Sequence, residues 1–237
     1  MIIIIYAVIG PTGVGKTTLS IKLAKNLNAE IINCDSMQIY KELNIGTAKI
    51  TDEEMAGVKH HMLSIKSIND TYNCFLYQQD ARRILDKLLS LGKNVVLVGG
   101  TGLYLKALLY DYDFKSKTSK KVYNFKLICL TKERQLLYEM IDKRVDIMMD
   151  KGLLEEVYTL YKTNKNNRIF KTAIGYKEFI PLFENKQTLD EVKEKIKQAS
   201  RNYAKRQFTF FKHQFSDVIY FDTSKISMDD IIKEIIS

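Results

Sequence analysis

Apolar positions along this chain switch between two spacings. Ile2–Ile9 is an unbroken apolar run rich in β-branched residues, which predicts a strand buried on both faces. From Thr17 to Asn28 the spacing changes. Leu19, Leu23 and Leu27 recur every four residues while Lys22, Lys25 and Asn26 fall off the stripe, as in a helix. Ala29–Cys34 reads as a second strand, ending at Asp35. Residues 40–72 predict an irregular loop with a short helix near Asp52–Val58. Tyr72–Leu91 predicts a longer helix burying Phe75, Leu76, Ile84, Leu85 and Leu88, closed by Gly92. Asn94–Val98 is a third strand and Leu103–Leu109 a helix.

The polar, lysine-rich stretch Asp111–Asn124 predicts a solvated connection and the best candidate for a poorly ordered segment. Beyond it, Phe125–Leu130 is a fourth strand, and Glu133–Met149 and Leu153–Tyr161 are helices parted by Gly152. Thr163–Arg168 is a polar loop, and Ala173–Phe183 a short helical stretch ended near Pro181. Leu189 to about Phe211 is a long basic helix, Val218–Phe221 a last strand and Met228–Ile236 a closing helix. Strands alternate with helices, so the class is α/β with a mainly parallel sheet flanked by helices. The expectation is one domain over residues 1–237.

Composition adds bounds. With 237 residues and 46% hydrophobic content the chain can bury a proper core. A net charge of +9 favours a polyanionic partner, although a generally basic surface would give the same number. Cys34, Cys74 and Cys129 are odd in number and widely spaced, which argues against a disulfide frame and for a reducing compartment. No apolar stretch is long enough to span a membrane. The expected setting is the cytoplasm, and the expected state a monomer.

The chemistry centres on Gly10-Pro11-Thr12-Gly13-Val14-Gly15-Lys16-Thr17-Thr18, a match to G-x-x-x-x-G-K-[ST] between a strand and a helix. That context makes it a P-loop: inward-turned amides form an anion nest at a helix N-terminus. Lys16 adds a charge for the outer phosphate, and the Thr17 hydroxyl can reach a Mg²⁺ ion. Asp35, at a strand end near this loop, suits a general base or a water-mediated metal contact, or a plain turn residue. Gly99-Gly100-Thr101-Gly102 permits close approach of a ligand, and Thr101 suits either a substrate contact or a helix cap. The pair His60-His61 lacks partners at metal-ligand spacing and is better read as shaping its loop. Lys193, Lys195, Lys197, Arg201, Lys205, Arg206 and Lys212 run along the basic helix among Tyr203, Phe208, Phe210 and Phe211. That mix suits phosphate contact with base stacking, or a helix whose aromatics face the core.

In this order and spacing, the series resembles the tRNA dimethylallyltransferase family along the whole chain. The marks are the P-loop, Asp35-Ser36-Met37-Gln38-Ile39-Tyr40, Ile45-Gly46-Thr47-Ala48-Lys49 and His60-His61-Met62-Leu63. Val98-Gly99-Gly100-Thr101-Gly102-Leu103-Tyr104, Ile174-Gly175-Tyr176-Lys177-Glu178 and Arg201-Asn202-Tyr203-Ala204-Lys205-Arg206-Gln207 complete it. The resemblance implies a P-loop NTPase-like, nucleotide-kinase-like fold. It implies transfer of a dimethylallyl group from dimethylallyl diphosphate to N6 of the adenine beside the anticodon (position 37) of tRNA, assisted by Mg²⁺ with Thr17 as its ligand. Residues 10–18 would then hold the diphosphate of the donor in place of ATP. Asp35 would be the base, Thr101 would help hold the amine, and Asp35 to Gln38 would meet the base. Arg201, Lys205 and Arg206 would lie near the diphosphate or the RNA. The chain departs from the family pattern in three respects. Only Asp111–Asn124 stands where the family carries a helical tRNA-gripping insertion. Asn202 and Phe210 stand where Gln and Trp are usual, and Thr172 where many members have Arg or Gln. The short insertion keeps an adenylate dimethylallyltransferase as an alternative; a P-loop kinase is the more distant one.

Overall fold

In the computed structural model, which describes residues 4–114 and 120–236, the two spacings resolve into one sheet and its helices. The strands are β1 (Ile5–Ile9), β2 (Glu30–Asn33), β3 (His60–His61), β4 (Val95–Val98), β5 (Phe125–Thr131) and β6 (Val218–Asp222). Between them run α1 (Lys16–Leu27), α2 (Asp52–Met55), α3 (Cys74–Ser90), α4 (Gly102–Leu109), α5 (Arg134–Asp150), α6 (Leu153–Asn164), α7 (Ile169–Thr172), α8 (Ile180–Phe183), α9 (Leu189–Gln214) and α10 (Met228–Ile236). All six strands are parallel, in the order β3-β2-β4-β1-β5-β6. Parallel strands buried on both faces require apolar residues at every position, which explains the unbroken run in β1.

Alternate residues of the strands serve two cores. Ile5, Ala7, Ile9, Cys34, Leu97 and Cys129 face the helices α3 and α4, together with Phe211 of α9. Tyr6, Val8, Ile31, Val96, Ile128 and Leu130 face α1, α10 and the start of α5. A third core lies off the sheet, where Val145, Met148, Val157, Phe170, Tyr176, Phe179 and Val192 knit α5 to α9 around Leu43. Because all strands run the same way, the loops after β1, β2 and β4 open on one edge.

Several expectations shift. β3 lies within the stretch read as irregular loop, and it pairs with β2 through Ile31 and Ile32. Phe75 is 49% exposed, and Tyr77, Gln78 and Ala81 take the buried side of α3. Pro181 sits in the first turn of α8 and opens that helix, since a first-turn residue needs no donor. Residues 169–172, unassigned by pattern, form α7. Much of the connection expected to be poorly ordered, residues 115–119, lies outside the described residues.

Candidate active site

The P-loop takes its shape from positions where a side chain has no room. A Cβ on Gly10 would collide with the Leu130 carbonyl oxygen. Gly15 is left-handed at φ 93° and stands as the N-cap of α1 without a side-chain cap, so the first amides of the helix stay free for an anion. No acidic residue occupies that first turn. Thr12, Gly13, Gly15, Lys16 and Thr17 line a cavity of about 590 Å³. Gly10, Pro11 and Val14 are buried beneath the loop, and Thr18 is exposed just outside that lining. Lys16 Nζ donates to the Pro11 carbonyl at 2.7 Å. Burial drives Lys16 down to about 8; Arg144 pushes the same way and Asp35 opposes.

Asp35 follows β2 and lines the same cavity. Its Oδ1 accepts from the amides of Met37 at 2.8 Å and Gln38 at 3.3 Å. The carboxylate thus makes the turn with one oxygen and keeps Oδ2 for other chemistry. Ser36, Met37 and Gln38 line the same cavity. Thr101 stands at the start of α4 but makes no side-chain cap. Its hydroxyl accepts from the Ser36 amide at 3.0 Å and donates to Ser36 Oγ at 3.2 Å, tying the Asp35 turn to the end of β4. β4 ends in Gly99-Gly100 and offers no carboxylate for a metal. A Cβ on Gly99 would strike the Cys34 backbone, so the two strand ends press together.

The basic helix α9 divides in two. Lys193 and Lys197 pair with Asp146 of α5 at 2.8 and 2.9 Å. Arg201 is committed to Asp142 at 2.5 and 2.6 Å and does not line the cavity. Lys205 sits over the Tyr138 ring, also off the lining. Arg206 does line the cavity, with Tyr203 beneath it at 5.7 Å. The histidines serve the sheet. The His60 ring donates from Nδ1 to the Val58 carbonyl at 2.8 Å, and His61 Nε2 meets Glu30 at 2.6 Å. No cluster of three His, Cys, Asp or Glu able to hold a metal occurs among the described residues.

Two site residues were not expected. Arg144 of α5 lines the cavity and feels both Lys16 and Asp35; burial pulls it below its ordinary value. Its Nη2 donates to the Thr47 carbonyl at 3.2 Å. No spacing marks it, because its partners lie on distant segments of the chain. Gln207, only 5% exposed, accepts from the Thr12 amide and donates to the Gly100 carbonyl, both at 2.9 Å. It fastens the P-loop to the Gly-Gly turn. Met140, Ile141, Val145, Met148, Ile174 and Ile196 give the cavity an apolar side.

The model of the IPP transferase family matches residues 38–122 and 113–214. The tRNA dimethylallyltransferase of Bacillus subtilis is 38% identical over 298 positions, covering 98% of this chain and 95% of the relative. The chain belongs to the tRNA dimethylallyltransferase family. The enzyme of that name from Oenococcus oeni is 40% identical over 233 positions, covering 94% of this chain and 90% of the relative. The crystal structure of the tRNA isopentenylpyrophosphate transferase of Bacillus halodurans superposes with a TM-score of 0.91 at 33% identity, covering 98% of this chain and 94% of that one. The Bacillus subtilis alignment is longer than the 237 residues of this chain, so that relative carries residues with no counterpart here. The Oenococcus oeni alignment shows no such excess.

Proposed function

We infer that this protein transfers the dimethylallyl group of dimethylallyl diphosphate to N6 of an adenine in tRNA, the one beside the anticodon, and releases diphosphate. The observation that carries the reading is one cavity holding both kinds of site. An uncapped helix N-terminus with Lys16 and Arg144, the Asp35 turn and an apolar lobe line the same cavity. Two cations held down by burial, with Asp35 as their acidic neighbour, are poised for a diphosphate. The lobe beside Met148 and Ile196 suits a five-carbon tail.

In the reaction N6 bonds to C1 of the donor as the C1–oxygen bond breaks, and the pair of that bond leaves with diphosphate. The free P-loop amides and Lys16 stabilise the charge that builds there. Asp35 Oδ2 takes the N6 proton while Oδ1 stays bound to its turn, so the base is held in place as it works. Thr101 fixes that turn through Ser36. Arg206, over Tyr203, faces the donor or the RNA phosphates. The adenine enters by leaving the anticodon-loop stack, the accessible part of tRNA for such chemistry.

The donor chemistry implies Mg²⁺, and the residues fit it. Thr17 offers an exposed hydroxyl at the cavity. Mg²⁺ is held well by one protein oxygen with phosphate oxygens and water, so a carboxylate cage is unnecessary. When bound it would neutralise charge on the departing diphosphate.

Residues 111–124 replace the family's gripping insertion, which leaves one domain. The family match breaking into two pieces at 113–122 supports that placement. The short connection also favours a second reading, free adenylate as acceptor. No helix among the described residues is long and apolar enough to cross a membrane, which accords with work on tRNA in the cytoplasm. Labelled dimethylallyl diphosphate offered with tRNA, AMP, or ATP plus kinase acceptors separates the readings. Label in tRNA is expected. Label in AMP alone would establish the second reading, and phosphate transfer from ATP would overturn both.

A further inference from the structure

Glu156, on α6, is the most heavily bonded carboxylate near the cavity, yet it does not line it. Its Oε2 accepts from the amides of Asn44 at 3.1 Å and Ile45 at 2.8 Å. Its Oε1 accepts from the Gly46 amide at 3.1 Å and the Tyr176 hydroxyl at 2.7 Å. A carboxylate has about four such sites, so none is spare. The segment it holds is fastened from within as well. Lys49 Nζ donates to the Tyr40 carbonyl at 2.5 Å and Asn44 Oδ1 at 2.9 Å. Gly46 lies flat on the Tyr176 ring, where a Cβ would stand 2.6 Å away. Ala48 is left-handed at φ 44°, a conformation that an alanine keeps only when its surroundings impose it.

This clamped segment carries the Thr47 carbonyl. It accepts from Gln38 Nε2 and from Arg144 Nη2, both at 3.2 Å. Gln38 Nε2 also reaches the Ala48 carbonyl at 3.4 Å. With its amide hydrogens spent on the segment, Gln38 can offer its amide oxygen to an incoming base, the acceptor that an exocyclic amine needs. One carbonyl therefore meets both a side chain of the Asp35 turn and a cation of the donor side.

We propose that Glu156 is a positioning residue of the acceptor side: it holds residues 44–48 so that the Thr47 carbonyl sets Gln38 for the adenine, while Arg144, carried by α5, keeps its place beside the donor site without it. The proposal rests on the transfer reading above. It makes the third core, which supplies α6 and Tyr176, a support for substrate recognition as well as for stability.

Glu156→Gln places an amide NH₂ against backbone N–H groups and spoils the clamp with little change in volume. The KM for tRNA should rise about tenfold or more while the Kd for dimethylallyl diphosphate, measured by equilibrium dialysis, stays within about twofold. Glu156→Asp should fall between. Tyr176→Phe, which deletes one bond, should raise the KM for tRNA by about threefold and serves if the Gln variant does not fold. Hydrogen exchange gives a readout independent of activity. The Asn44, Ile45 and Gly46 amides should lose protection in Glu156→Gln, while Thr12 keeps its own. An unchanged KM for tRNA, or equal losses of donor and acceptor binding with exchange raised throughout, would overturn the proposal. If the wild type labels no tRNA the transfer reading falls, and the exchange pattern still decides whether Glu156 holds the segment.

Discussion

The two walls of the cavity are built differently. The wall proposed to hold the donor is mostly backbone at the end of a parallel sheet, between β1 and β4 in the middle of the strand order. Its parts are mostly amides, joined by the Lys16 ammonium and tied to the Gly-Gly turn by Gln207, and its shape is dictated by atoms such as the Leu130 carbonyl that leave no room for a side chain. The wall proposed for the acceptor, residues 35–48, is loop, and side chains from elsewhere hold it: Thr101, Glu156 and Arg144 by hydrogen bonds, and Tyr176 by packing on Gly46 and bonding Glu156. A wall made by the sheet is rigid wherever the sheet folds. A wall made by side-chain bonds can be adjusted one residue at a time, which suits the partner that must be recognised.

The comparison predicts that variants of the two walls fail differently. Asp35→Asn keeps an acceptor for the Met37 amide but cannot take a proton at neutral pH. Its turnover should fall by roughly 10²–10⁴ with donor Kd unchanged. Equal losses in both would mean that the walls are not separable. Lys16→Met should weaken donor binding by about tenfold to a hundredfold, the worth of a charge-assisted contact, and leave tRNA binding intact. Direct dialysis of donor and gel-shift of tRNA would show the split.

The donor wall should also show a pH signature. Lys16 is held at about 8, so the free enzyme loses its charge as pH rises through 8, and donor affinity should fall there. Lys16→Arg should move that fall beyond the measurable range. The same group acts oppositely on stability. The unfolded chain binds the extra proton between about pH 8 and the ordinary lysine value, so this group's cost to folding is relieved as pH rises across that window.

The smallest effect on activity is expected at the other end of the sheet. Glu30 begins β2, and burial would raise it, but hydrogen bonds from Lys93 and His61 outweigh burial and bring it to about 2. Its folded value lies below its unfolded one, so it stabilises above pH 4.5, and that stability is lost as pH falls through 2. Glu30→Gln should cost about 1–3 kcal/mol at pH 7 and only a small fraction of that at pH 2, with tRNA labelling at 25 °C unaffected. Urea melts at the two pH values would check it.

The difference between the walls also explains what was legible in the sequence. β1, the P-loop and α1 could be read because burial on both faces and an anion nest each restrict residue type at adjacent positions. Asp35 and Thr101 could be read because they end strands. Thr101's partner could not: its hydroxyl serves Ser36, 65 residues away, instead of its own helix. Arg144 and Glu156 were hidden because each acts on a backbone group about a hundred residues distant, and such a contact leaves no spacing in either segment. The neutralisation of Arg201 by Asp142 was hidden for the same reason. β3 was missed because two residues on a sheet edge are too few to show a period.

The most direct test uses the amine itself. The protein is preloaded with labelled dimethylallyl diphosphate and mixed, in a single turnover, with two anticodon stem-loops. One carries adenine beside the anticodon and the other carries purine there, lacking only the exocyclic amine. Label should appear in the adenine stem-loop and not in the purine one. Equal labelling of both, or label released to water at the same rate with either, would contradict transfer to N6.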